Sequence, residues 1–257
     1  MRYIASLCFR FGMVWLGSIL SLLTCFAWAF EPSPAGGGAL EVSKPGGYAF
    51  VEDHDDFDFD ANLGNEFTYE MWVYLKRPPR FRETWVLLHK EGSYLLALEG
   101  WKVGLFGAIS PLDKGTIAYL SYYHMRENGV LKGSGSYSQE RLPLNQWHHL
   151  TMVGKHQGLN RMDYAYFLNG KQISFGRGGP LGNTDSPLYI GGTGIPPPGY
   201  KEIEWDQFTG GFIDEVRISN TIRYPIALGA AFKPPRGRFS RDKNTLALWH
   251  FDGEQAG

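Results

Sequence analysis

Apolar and polar positions alternate with a period of two through most of the chain, beginning near residue 39. In NEFTYEMWVYLKRP (65–78), Phe67, Tyr69, Met71, Val73 and Leu75 fall on one side, and Glu66, Thr68, Glu70, Trp72 and Tyr74 on the other. That is the pattern of a strand with one face in a core. ALEVS (39–43), GYAFVE (47–52), TWVLLHK, SYLLALEG, WKVGLFGAI, GTIAYLSYYHM, QWHHLTMVGK (146–155), SPLYIGGT and TLALWHF add shorter runs separated by Gly and Pro breaks. In YAYFLNGKQISF (164–175), Asn169-Gly170 divides two alternating runs, which predicts a two-residue type I′ hairpin. Only YPIALGAAF (224–232) suggests a short helical turn, with Pro225 near its start. No long segment of period 3.6 and no fixed repeat is found. About a dozen strands with sparse helix predict an all-β chain folded as an antiparallel β-sandwich or jelly roll.

GGFIDEVRIS (210–219) carries a conflict within this pattern. Strand alternation puts Phe212, Asp214, Val216 and Ile218 on one face, and Ile213, Glu215, Arg217 and Ser219 on the other. The first set is the more apolar, so it is expected to face the core and take the Asp214 carboxylate with it. A buried carboxylate is costly unless it is paired, hydrogen-bonded or bound to a metal. Glu215 and Arg217 then read as an exposed pair of little energetic weight.

The N-terminus stands apart from the strand pattern. Arg2 and Arg10 precede an uncharged apolar run at 11–26, and Ala27-Trp28-Ala29 follows with small residues at the positions read by a signal peptidase. Residues 1–29 are therefore expected to be a secretory signal peptide, residues 30–38 a flexible lead-in, and residues 39–257 one globular domain. The run is long for a signal h-region and short for a spanning helix, so an uncleaved anchor is the alternative. A lipoprotein signal at Cys25 is poorly matched by Leu23 and Thr24. This reading places the protein in the secreted or periplasmic, cell-envelope compartment of a bacterium, touching a membrane only through an uncleaved signal segment. Cys8 and Cys25, the only cysteines, both lie in that segment. The mature chain then has no disulfide, no cysteine nucleophile and no cysteine-held metal. Loss of Arg2 and Arg10 takes the formal charge from −1 to −3. Basic residues are scattered, which argues against a nucleic-acid partner.

The order of GGYAFVE, FTYEMWVYLK, WHHLTMV, YFLNGKQIS, PLYIGG, GGFIDEVRISNTIRY and NTLALWHFDG resembles the laminin G-like family of concanavalin A-like jelly rolls, its bacterial modules above all. The resemblance spans residues 39–253, with residues 106–145 departing from the usual spacing as an elongated hairpin or an insertion. It implies a concanavalin A-like jelly roll that binds carbohydrate or an extracellular protein, often with calcium. Specificity sits in variable loops and not in the motifs that build the sandwich.

The resemblance also makes Asp214 a candidate ligand of a structural Ca2+ ion, with Asp252 of HFDG as its partner. The other reading of Asp214 is a carboxylate satisfied by backbone N–H groups. EDHDDFDFD (52–60) is dense in carboxylates but lacks an EF-hand's glycine and terminal glutamate, so it reads as a cation patch or a solvated acidic turn. EIEWD (202–206) looks like the acidic strand of concanavalin A-like β-glucanases, whose two carboxylates stand about 5 Å apart. Here Glu204 and Asp206 occupy positions where that pattern has Asp and Glu, and the stretch follows the proline-rich GIPPPGY, which suggests a surface loop. No histidine cluster, nucleophile elbow or phosphate loop is present, and no catalytic residue is assigned. For sugar contact the candidates are Tyr200, Trp205, Trp101 and Tyr122. Trp72, Trp147 and Trp249 lie in strand motifs and are expected to pack. The expected function is an exported, non-catalytic recognition module for a glycan or an extracellular protein. The alternatives are a glycoside hydrolase using Glu202 with Glu204 or Asp206, and a purely structural envelope protein.

Overall fold

Alternation becomes strands wherever it was cleanest. The computed structural model describes residues 32–42, 47–59, 66–103, 109–112, 119–125, 131–136, 142–158, 161–179, 181–194 and 204–253. Among these, side chains are described everywhere but at 103, 109, 119–125, 131–136 and 204–206. Glu31–Gly257 forms one compact unit. Its strands are β1 (Ala49–Val51), β2 (Glu66–Leu75), β3 (Glu83–Lys90), β4 (Tyr94–Glu99), β5 (Trp101–Val103), β6 (Ile109–Pro111), β7 (Tyr119–Met125) and β8 (Leu131–Ser136). They continue with β9 (Trp147–His156), β10 (Met162–Leu168), β11 (Lys171–Gly178), β12 (Leu188–Ile190), β13 (Glu204–Gln207), β14 (Gly211–Ser219) and β15 (Thr245–Trp249).

One sheet runs β11-β10-β9-β2-β14-β15; the other runs β1-β12-β3-β4-β7-β8, with β13 pairing the Glu83–Val86 half of β3 that β12 does not reach, and β5-β6 is a separate ribbon. Every pair is antiparallel except β13 with β3. The chain is thus the all-β sandwich of a concanavalin A-like jelly roll. The 106–145 region contributes the β7–β8 hairpin, paired from Leu120↔Ser136 to Met125↔Leu131. Asn169 and Gly170 both adopt positive φ, 51° and 78°, as a type I′ turn requires.

Between the sheets lies one core. From β2 it takes the predicted set Phe67, Tyr69, Met71, Val73 and Leu75, and these meet Trp85, Leu96 and Leu98 of the facing sheet. Each fully buried side chain of this size contributes about 1.5–3 kcal/mol. Several other expectations are corrected. Residues 224–232 form no helix, only a turn closed by Ala230 N–H donating to Ala227 O at 3.1 Å. The lead-in is not free over residues 32–38, because Gly237 N–H donates to Pro34 O at 3.1 Å and Gly38 N–H to Asp252 Oδ1 at 2.8 Å. Residues 204–207 of the acidic stretch are a strand inside a sheet, not a loop.

The largest correction concerns 210–219. β14 pairs with β2 from Gly211↔Leu75 to Asp214↔Trp72 and resumes at Arg217↔Glu70, so Glu215 and Val216 together stand opposite Met71. This is a β-bulge, with Glu215 at φ 53°. The extra residue reverses the alternation. Ile213, Val216 and Ile218 enter the core, while Asp214 lies on the outer side beside Trp72. Glu215 and Arg217 are not an exposed pair. Both are buried, and each has another partner.

The outer face is closed by the segment that follows β14. Trp72, Tyr74 and Trp147 pack with Phe239 and Leu248, while Val153, Ala165 and Phe167 pack with Tyr224 and Phe232. Under this cover Glu70 accepts from Arg217 Nε at 2.7 Å and from the Tyr224 hydroxyl at 2.7 Å. His149 Nε2 stands 3.3 Å from Glu70, off the hydrogen-bond direction. Burial pushes the Glu70 carboxyl up, but His149, the Arg217 charge and Tyr224 outweigh it and hold it below the ordinary range. Removing one partner of a buried pair leaves a charge stranded and typically costs about 3–5 kcal/mol, whereas apolar replacement of both is far milder. Arg217→Met is therefore expected to lower stability by roughly 3 kcal/mol, and Glu70→Leu with Arg217→Met to recover most of it. Urea unfolding checks this; equal losses in the single and double variants would contradict it.

Candidate functional site

The expected sugar-contact residues do not assemble into one site among the described residues. Trp101 is fully buried, with its indole N–H donating to Thr84 Oγ1 at 2.8 Å. Its ring is not presented to a ligand, so the Trp101 expectation is corrected to packing. Trp205 lies in β13 opposite Thr84, and Tyr122 lies in β7 opposite Leu96. The side chains of both are outside the described residues, as is all of Tyr200.

The structure instead brings together three rings that the sequence reading passed over. Tyr48, just before β1, and Phe50 within it stand two residues apart with their rings 6.3 Å from one another, while Ala49 and Val51 pack on the core. Phe50 pairs with Tyr189 of β12, and Tyr189 with His89 of β3. Tyr48 meets Tyr189 edge to face, with centroids 5.1 Å apart at 89°. Phe50 lies 6.3 Å from Tyr48 and 6.5 Å from Tyr189. The result is a step of rings at the rim of the sheet, with Phe50 54% and Tyr48 38% exposed.

Behind the step lies a packed, hydrogen-bonded support. His89 stacks against Tyr189, centroids 6.2 Å apart at 28°, and its Nδ1 shares a hydrogen bond of 2.7 Å with Thr193 Oγ1. Burial lowers the His89 pKa to about 4, so the imidazole is neutral at pH 7. The turn after β12 hugs the rings: a Cβ at Gly194 would come within 2.8 Å of the Tyr189 hydroxyl oxygen. Burial raises the Tyr189 pKa, and the neighbouring Tyr48, Glu91 and Glu52 raise it further. One signal was legible beforehand. In GYAFVE the large rings sit on the side of the strand that the core does not need.

Asp214 and Asp252 do approach the same place, where the 33–40 strap meets the ends of β14 and β15. Asp214 is buried, and its Oδ1 accepts from the Glu215 N–H at 2.8 Å while Oδ2 has no hydrogen-bond partner. Asp252 is engaged at both oxygens, by Gly38 N–H and by Arg238. Glu215 is likewise committed, accepting from Phe239 N–H at 2.5 Å and pairing with His250 Nδ1 at 2.6 Å. Among the described residues no three His, Cys, Asp or Glu side chains are grouped to hold a metal. Calcium takes six to eight oxygens, backbone carbonyls and water among them, and Asp214 Oδ2 is the one oxygen of these three carboxylates without a hydrogen bond.

Burial raises the Asp214 pKa to about 6; the Ser33 hydroxyl and the Glu215 amide draw it down, and the Glu215 and Asp252 charges add to the rise. A carboxyl whose pKa is higher folded than unfolded destabilises the fold above the folded value, and the penalty fades as pH falls toward the unfolded value near 4. Its full size is on the order of 2–3 kcal/mol. Asp214→Asn is thus expected to melt above the wild type at pH 7.5 in chelator and to lose that advantage steadily toward pH 4. A gap independent of pH, or a wild type that calcium alone stabilises at pH 7.5, would show that something other than a proton satisfies Oδ2.

No curated protein matches the chain closely in sequence. Among solved structures, a Bacteroides ovatus protein provisionally described as carbohydrate binding aligns at 18% identity and TM-score 0.46, over 85% of this chain and 54% of its own. Domain 4 of an extracellular arabinanase from Geobacillus stearothermophilus, solved with arabinotriose, aligns at 13% identity and TM-score 0.40, over 77% and 84%. The LG4-5 domains of the mouse laminin α1 chain align at 15% identity and TM-score 0.45, over 81% and 48%. The chain thus spans about half the length of the first and last of these. Residues 45–225 match the laminin G type 3 family model of the concanavalin A-like lectin/glucanases superfamily, and the chain belongs to that family.

Proposed function

We propose that this protein is an exported, non-catalytic recognition module that binds carbohydrate through the Tyr48–Phe50–Tyr189 step. The observation that carries this reading is the exposure of Phe50 and Tyr48 on a strand whose other face is locked into the core. Sugar-binding surfaces combine apolar ring faces with a few polar groups on a preformed support. The Tyr189 hydroxyl supplies one such group at the rings. Membership of a superfamily of lectins and glucanases is compatible with it. Export rests on the basic, apolar and Ala-Trp-Ala sequence of residues 1–29.

A glycosidase would need two carboxylates facing an open cleft. Glu202 lies outside the described residues, and the backbones of Glu204 and Asp206 pair opposite Glu83 and Trp85, with their side chains outside the described residues. An extracellular protein seated on the same rings is the competing occupant.

Calorimetry of the purified protein against a panel of neutral, amino and acidic oligosaccharides tests the proposal. At least one class is expected to bind, and Phe50→Ala to weaken it by about tenfold or more, as for a central aromatic anchor. Because Phe50 is exposed, the variant should melt close to the wild type. Binding of no oligosaccharide, or binding indifferent to Phe50→Ala, would overturn the proposal.

A further inference from the structure

The acidic stretch EDHDDFDFD divides in the structure. Asp55 and Asp56 are exposed in the 3₁₀ turn Asp55–Phe57, whereas Asp58 is buried and Asp53 is half-buried. Both of the latter turn toward Lys90. The Lys90 ammonium binds Asp53 Oδ1 and stands 3.4 Å from Asp58 Oδ1. The Lys90 side chain is fully buried, which is rare for lysine. Strand geometry puts it there. Lys90 closes β3 opposite Tyr94 and Leu188, and alternation sends it inward with Leu88 while His89 turns out to Tyr189. Tyr94 in turn packs against Phe59, the neighbour of Asp58, with centroids 6.4 Å apart, so core rings bound the group.

A buried ion pair of this kind adds little stability over an apolar filling of the same space. Here one ammonium also faces two carboxylates. Burial pushes the Asp58 carboxyl up by more than Lys90 pulls it down, and the Asp53 charge adds to the rise. Asp58 is therefore suited to take up and release a proton beside the Lys90–Asp53 contact.

We propose that Lys90 and Asp53 join in an intramolecular isopeptide bond, with Asp58 carrying the protons. Asp58 takes one proton from the Lys90 ammonium and passes it to the Asp53 carboxylate. The free amine attacks Asp53 Cγ, and the Nζ–Cγ bond forms. Asp58 then takes a second proton from Nζ and gives it to the departing hydroxyl, so the Cγ–O bond breaks and one water leaves. Nζ keeps one hydrogen, which donates to Ser186 O, its partner at 3.1 Å before the reaction. Asp58 ends as it began, and no oxidant or co-reactant is needed. Contact between the reacting groups supplies the proximity. Burial favours the exchange of two charges for a neutral amide. The Asp53 side chain, 27% exposed, leaves the water an exit. The bond ties the segment after β1 to the end of β3. Since β1 is an edge strand held through β12, the link fixes the edge that carries Phe50, whatever binds there.

Mass spectrometry of the purified, denatured protein tests the proposal. The intact chain is expected to weigh one water less than its sequence, and a digest to contain a branched peptide joining Asp53 to Lys90. The branch distinguishes the amide from a cyclised aspartate, which loses the same water. Lys90→Arg and Asp53→Ala should each restore the full mass. Asp58→Asn keeps the shape of the side chain and removes the proton carrier. It is expected to leave most of the chain at full mass while its circular dichroism matches the wild type. A wild-type chain at full mass, or a branch at a different residue pair, would overturn the proposal. Complete cross-linking in Asp58→Asn would overturn the role given to Asp58.

Discussion

The bulge at Glu215 is the constraint on which the arrangement of this sandwich depends. Without it, β14 would carry Asp214 into the core in place of Ile213. With one extra residue at positive φ, Ile213 and Val216 both point inward, and the acids are delivered to the outer side. There Glu215 accepts from the Phe239 amide and pairs with His250, so it fixes the segments before and after β15. Leu40 and Ile213 exchange both backbone hydrogen bonds at 2.8 and 3.0 Å beside the bulge, which anchors the strap that leads toward β1. Leu40 and Val42 in turn lie against Gly191, at the end of β12. The strand that presents Phe50 is thus placed by contacts that start at β14.

Two kinds of buried charge are handled differently along this route. Glu70 is ringed by Arg217, Tyr224 and His149, so its ionised form is favoured despite burial. Asp214, further along the same outer side, has the Glu215 amide on Oδ1 and only the Ser33 hydroxyl to help it, with no hydrogen bond to Oδ2, so its neutral form is favoured. The difference lies in donors and not in depth, since both side chains are buried. Strand residues with the same acidic chemistry therefore serve as a cross-link in one case and as a source of instability at neutral pH in the other.

Much of the fold was legible because period-two alternation survives wherever one face must be apolar. β2 followed its pattern residue by residue, and Asn169-Gly170 turned as its φ angles demand. β14 did not, because a bulge adds a residue without any mark in the pattern; only the unfavourable position it implied for Asp214 hinted at it. The second face of β2 also misled. Glu70, Trp72 and Tyr74 look solvent-facing by alternation but are roofed by a distant segment that has no periodicity of its own. The candidate site was legible least. Large rings in strands read as core, and Trp101 is core, whereas Phe50 was hidden in an unremarkable six-residue run. Its setting depends on β12 pairing from far along the chain, where Phe50 meets Tyr189, 139 residues away.

What joins these features is a packed edge: rings held by β1 and β12, with a neutral imidazole behind them. The claim that this edge is the recognition surface is tested most directly by a crystal structure of the protein with a bound oligosaccharide. The account predicts a pyranose ring lying on Phe50, within contact of Tyr48 and of the Tyr189 edge. A sugar seated elsewhere, with the three rings left bare, would contradict it.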